Sequence, residues 1–129
     1  MLLPEDPDAS AQRIRAGLEG ASGAQIGVMI IDSHGRAWRL GTVGVAIGLA
    51  GLPGLVDLRG QPDLFGTNLQ ITQVGAADEL AAGASLVMGQ TDQKTPVVLV
   101  RGYMPQEPDE EELRGVRPLL RDKQADLFR

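Results

Sequence analysis

Hydrophobic and polar positions follow two different periods along this chain. Ala11, Ile14 and Leu18 recur at i, i+3 and i+7, one apolar stripe of a short helix that Asp8 caps and Gly20 and Gly23 end, with Arg13, Arg15 and Glu19 facing water. Residues 26–31 are instead apolar at both parities, which predicts a strand covered on both faces and central in its sheet, closed by a turn over Asp32, Ser33, His34 and Gly35. Residues 43–52 are apolar but rich in glycine. Their length suits a strand, and the glycines indicate either close approach of another backbone or a ligand, or a subunit interface. Turn residues crowd the stretch "DLRGQPDLFGTN" (57–68), a long surface loop, and residues 69–74 make a short strand. "AADELAAGASLVM" (76–88) reads as a helix, with Asp78 and Glu79 favourably placed in its first turn. A polar loop over 89–95 then leads to a second doubly apolar strand over 96–100. In the tail, Glu110 and Arg114 are spaced for an i,i+4 pair, but Pro118 interrupts any helix and no apolar face repeats, so 104–129 is a charged tail, a linker or a docking arm.

Composition narrows the function classes. With 43% hydrophobic but only 3% aromatic residues among 129, the core must be built from Val, Ile, Leu and Ala. The net charge of -5, with acids gathered at Glu5, Asp6 and Asp8 and again at Glu107 and 109–112, leaves no basic footprint for nucleic acid. Cysteine is absent, which removes disulfides and thiolate chemistry and fits a reducing compartment. Acids and prolines occupy the N-terminus where a secretory signal needs a basic start and an apolar run, so a cytoplasmic location is expected. The uncharged stretch 40–56 is too short and too often broken by glycine and Pro53 to span a membrane.

Few residues offer chemistry. Asp32 and Ser33 supply hard oxygen ligands of the kind Mg2+ or Mn2+ accepts, although Asp-Ser-x-Gly also makes an ordinary turn. His34 is the one histidine, and without a second imidazole or a thiolate it does not make a zinc site. "GQTDQKT" (89–95) places a lysine and a threonine after a glycine, yet it lacks the glycine before the lysine and joins a helix to a strand, the reverse of a Walker loop. Read alone, these residues describe a soluble α/β or α+β domain and leave its function open.

Longer words are more specific. "LLPEDPDASAQRIRAGL", "IIDSHGRAWRLGTVGVAIGLAGL", "DLRGQPDLFG", "QVGAADELAAGASLVMGQTD" and "TPVVLVRG" follow one another as in the coenzyme F420 gamma-glutamyl ligase family, which this chain therefore resembles over most of 2–102. The resemblance implies an α+β fold, a mixed β-sheet with short flanking helices, in which 1–103 is the C-terminal half of the ligase domain. It also implies the reaction: GTP phosphorylates the lactyl carboxylate of coenzyme F420-0, and the amine of L-glutamate attacks the resulting acyl phosphate. Divalent cations, Mg2+ or Mn2+, assist by neutralising phosphate oxygens.

Carried over by position, Asp32 matches a metal ligand, Ser33 keeps a hydroxyl at its side, and Gln90 aligns with a metal-contacting residue. Met88, Gly89, Gln90, Thr91, Asp92, Gln93, Lys94 and Thr95 then form the GTP loop, while Arg36 and Arg39 are candidates for anionic substrate groups. The family implies a homodimer, and a further aspartate-containing metal motif upstream of the region this chain resembles. Beyond the substrates, one further partner is therefore expected: a separate N-terminal half, or the nitroreductase-like domain whose junction "RPLLRDKQADLFR" resembles. Without that other half the chain is expected to be a poor ligase. The alternative is a non-catalytic binding or assembly module that retains the fold and the dimer interface.

Overall fold

A computed structural model describes residues 3–103 and 113–125. Helix α1 spans Pro7–Ser22. Its N-cap is Asp6, not Asp8: the Asp6 carboxylate accepts from the Ala9 amide at 2.9 Å, and Pro7 sits where a missing N–H costs nothing. Gly23, at φ 70°, ends the helix by donating to the Glu19 carbonyl at 2.8 Å. Asp8 is thereby free for a tertiary role and accepts from the Leu49 amide at 2.8 Å. Arg15 and Glu19 also do more than face water. Arg15 Nε donates to the Ile26 carbonyl at 2.8 Å, while Glu19 Oε1 accepts from the Ile26 amide at 3.0 Å, so the pair clamps the chain that enters the first strand.

Strands β1 (Val28–Gly35) and β2 (Thr42–Ala50) form an antiparallel hairpin. The expected turn at 32–35 is the end of β1, because Thr42 to Val45 provide ladder partners for those four residues. Among the described residues β1 pairs with β2 alone, so it is an edge strand here and not a central one. The register breaks after Ile30: Ile30 faces Gly48 and Ile31 faces Ala46, which leaves Ile47 unpartnered as a bulge.

Two helices cover the two faces of this hairpin. Val28, Ile30 and Ala50 pack with Ala11 of α1, and Met29, Leu49 and Ala46 pack with Ala77 and Leu80 of α2 (Ala76–Met88). Glycine permits both close approaches. A Cβ on Gly48 would lie 2.4 Å from the Pro7 carbonyl oxygen, and one on Gly44 would lie 2.6 Å from that of Ala81. Helix α2 has the bounds expected of it, and Asp78 does more than complement the helix dipole, since it accepts from the Ala46 amide at 2.9 Å.

A second small sheet pairs β3 (Val56–Asp57) with β4 (Gln73–Val74). The strand expected over 69–74 shrinks to its last two residues because β3 offers only a two-residue partner. The loop between them is held by Asp63, whose Oδ1 accepts from the Phe65 and Thr67 amides at 2.8 Å. Residues 96–100 form no strand among the described residues, and Val97 and Leu99 stand 79% and 69% exposed. Their double apolar pattern meets no neighbouring strand. The expected Glu110–Arg114 pair lies outside the described residues through Glu110. Beyond it, Val116 and Leu119 pack against the Leu49–Leu52–Ala77 cluster, and the Val116 amide donates to Asp8 at 3.3 Å.

Candidate functional site

Strand β1 delivers Ser33, and the loop after α2 delivers Gln90. The two meet although they are 57 residues apart in sequence: the Ser33 hydroxyl donates to Gln90 Oε1. Packing explains the meeting. Gly44, the ladder partner of Ser33, lets α2 press against the sheet. Ser85 fastens that contact by accepting from the Gly44 amide at 3.3 Å while donating to the Ala82 carbonyl at 2.9 Å. One turn later the helix ends at Met88, and the chain turns through Gly89 (φ 73°) back towards β1.

Ile31, Asp32, Ser33, Gly44, Ser85, Met88, Gly89, Gln90 and Thr91 border a cleft of about 260 Å3. An adjoining open cavity of about 410 Å3 shares Met88, Gly89 and Thr91 and adds Lys94, Thr95 and Pro96. Of the expected GTP loop, Asp92 and Gln93 border neither cavity. Gln93 has a local role instead: its side-chain oxygen accepts from the Thr91 amide at 2.8 Å and from the Thr91 hydroxyl at 3.1 Å, folding the loop on itself. That fold holds Lys94 in the left-handed region at φ 56°, a conformation seldom adopted by residues other than glycine.

Because 32 and 33 lie on a strand and not in a turn, their side chains leave the sheet in opposite directions. Ser33 lies on the α2 face and Asp32 on the other, and both border the cleft at the end of the hairpin. Arg36 and Arg39 occupy the exposed connection between β1 and β2 and line neither cavity. Sequence reading did not single out Ile31, Gly44 or Ser85. The signal for Gly44 was present in the glycine-rich run, and Ser85 is the one hydroxyl residue in α2.

Chemically, the cleft offers neutral oxygens from Ser33 and Gln90, a carboxylate at its rim and one ammonium group from Lys94 in the neighbouring cavity. Among the described residues no three His, Cys, Asp or Glu side chains converge into a metal cage. No helix among them is long and apolar enough to cross a membrane.

Comparison with known proteins gives a consistent picture. The family model for F420-0:Gamma-glutamyl ligase matches residues 1–102. The coenzyme F420:L-glutamate ligase of Methanothermobacter thermautotrophicus is 49% identical over 98% of this chain, and that of Methanopyrus kandleri 47% over 100%. The Methanocaldococcus jannaschii ligase is 45% identical over 99%. The chain spans about half the length of these relatives, 50%, 51% and 50% respectively. The family model matches most of the chain, the identity to each of these ligases is 45% or more over nearly all of it, and on that ground the chain belongs to the F420-0:gamma-glutamyl ligase family.

Proposed function

We propose that this chain supplies one half of an active site that joins L-glutamate to the carboxylate of coenzyme F420-0 at the expense of GTP. The names of its relatives support the ligation, and the hydrogen bond between Ser33 and Gln90 is the observation that carries the site, because it gathers oxygen donors from β1 and from the loop after α2 at one cleft. The terminal phosphoryl group of GTP passes to the substrate carboxylate with release of GDP. The amine of glutamate then displaces phosphate, loses a proton and leaves an amide. Little of this requires a protein nucleophile, since positioning and electrostatics do most of the work in phosphoryl transfer.

Each residue has a part in that scheme. Lys94, Thr91, Thr95 and the backbone of Gly89 face the larger cavity and would hold the phosphates, and the left-handed strain at Lys94 fits a residue fixed in place for binding. Asp32, Ser33 and Gln90 offer a carboxylate, a hydroxyl and an amide oxygen, ligands that suit Mg2+ or Mn2+. When bound, such a cation would neutralise phosphate oxygens. With a single carboxylate in the set, its remaining ligands would be water, nucleotide oxygens and groups from outside this chain. Arg36 and Arg39 lie apart from both cavities and would meet only a part of the substrate that extends beyond the hairpin end.

Calorimetric titration with MnCl2 and GTP tests the site. We expect Gln90→Leu and Ser33→Ala to weaken binding about tenfold or more, the loss of one good oxygen contact to a charged ligand. Unaltered affinity in both would overturn it. A second reading, a non-catalytic assembly module, is favoured by the single carboxylate at the cleft and the lack of a three-residue metal cluster among the described residues. Mass spectrometry of F420-0 incubated with glutamate, GTP and the chain, completed by the other half of a relative, separates the two: product supports the ligase and its absence the module.

A further inference from the structure

The two outer edges of the β1–β2 hairpin are not alike. On β2 the outward amides are closed by side chains: Ser85 takes the Gly44 N–H at 3.3 Å, Asp78 that of Ala46 at 2.9 Å, and Asp8 that of Leu49 at 2.8 Å. The ladder partners of these three residues are Ser33, Ile31 and Met29. In an antiparallel ladder, residues opposite each other turn their N–H groups outward together, so the amides of Met29, Ile31 and Ser33 also point away from the hairpin. Among the described residues nothing receives them, and no backbone group of β1 bonds outside the β1–β2 ladder. Among the described residues one edge is blocked against further pairing, and the other is open.

We propose that the open edge of β1 receives a β-strand from a polypeptide equivalent to the half of its relatives that this chain does not match. The length of the relatives favours that occupant. The relatives are twice as long at 45–49% identity, so the same hairpin there is accompanied by an equal length of protein in one chain. The added strand would run past Ser33, beside the cleft, and so bring groups of the other half to its open rim. The inference concerns pairing and holds whichever nucleotide or cation the cleft takes.

Residue-resolved hydrogen exchange tests it without activity. The chain alone is compared with a chimera in which it replaces the matching half of the Methanothermobacter ligase. In the chain alone, the amides of Met29, Ile31 and Ser33 should exchange fast while those of Val28, Ile30 and Asp32, held by β2, are protected. In the chimera the first three should slow by about a hundredfold or more, as expected when an open edge becomes part of a sheet interior. Ile31→Pro removes one outward N–H without touching the β2 ladder, and in the chimera it should restore fast exchange at Met29 and Ser33. A chimera in which these amides remain fast overturns the proposal, as does one that melts no higher than the chain alone. Protection of the same amides in the chain alone, at twice the monomer mass, overturns it in favour of a second copy.

Discussion

Gly44→Ala and Gly83→Ala are the same chemical change, and the structure gives them opposite signs. Both glycines have ordinary negative or extended φ, so backbone strain does not distinguish them. At Gly83, on the outer face of α2, a Cβ meets nothing within 4 Å. Alanine there removes the entropic cost of a helical glycine, a gain of about 0.8–1 kcal/mol. At Gly44 the added carbon would lie 2.6 Å from the Ala81 carbonyl oxygen and 2.7 Å from Ser85 Cβ. Neither is the far end of a flexible side chain, so α2 must retreat by roughly 0.8 Å to recover van der Waals separation. Overpacking of this kind costs about 1–3 kcal/mol. Urea unfolding of the two variants beside the parent should move the midpoint down for Gly44→Ala and up for Gly83→Ala at unchanged slope. Since α2 also carries Met88 and the loop bearing Gln90, Gly44→Ala should separate Ser33 from Gln90 and weaken Mn2+–GTP binding, although Gly44 offers no ligand atom. A Gly44→Ala chain as stable as the parent would refute the tight contact between helix and sheet from which the cleft is built.

Other outcomes follow from individual contacts. Asp8→Ala should lower stability by about 2–4 kcal/mol in urea unfolding, because the amides of Leu49 and Val116 lose a charged acceptor where water reaches them poorly. Asp8→Asn, which retains an oxygen, should lose less. Asp57 is held down to a pKa of about 2 by hydrogen bonds from the Arg59 side chain and backbone. Its folded value is below the unfolded one, so its contribution to stability is complete above about pH 4 and is lost as pH falls through about 2. Carbon-detected NMR titration should find that midpoint in the parent and a return towards the ordinary carboxylate value in Arg59→Ala.

How much of this was legible depends on the distance over which each feature is determined. Helix α2 was readable to its ends because everything that bounds it is local: an Ala-rich run, acids in the first turn and Gly89 after the last. The polar face of α1 was misread for the converse reason. Arg15 and Glu19 look like solvent residues until the chain returns and offers them both backbone groups of Ile26. Polarity at 32–35 suggested a turn, but strand length is set by the partner, and Thr42 to Val45 continue the ladder. Residues 96–100 carry the composition of a buried strand and stand exposed, so their pattern reports an environment that the described part of this chain does not supply. As for the site, the proximity of Ser33 and Gln90 had no local signature at all. Only the family resemblance put them together, and the structure then gave the packing reason.

That packing reason comes down to one extra residue. Along an uninterrupted strand, Leu49 and Ala46 would face opposite sides, since they are three apart. The bulge at Ile47 reverses the alternation, and Leu49, Ala46 and Gly44 all come to lie on the α2 side of the sheet. Gly48 meanwhile stays on the α1 side, where Pro7 needs the space. A strand without the bulge would turn a side chain with Cβ towards α2 in place of Gly44 and hold the helix away. Ser85 would then lose the Gly44 amide, and the loop carrying Gln90 would start too far from Ser33 to reach it. The bulge also aims the amides of Gly44, Ala46 and Leu49 at acceptors on the two helices, which closes that edge and leaves β1 as the side on which the sheet can grow. Cleft and open edge are thus consequences of the same shift in register, and they lie next to each other because Ser33 contributes its hydroxyl to one and its amide to the other.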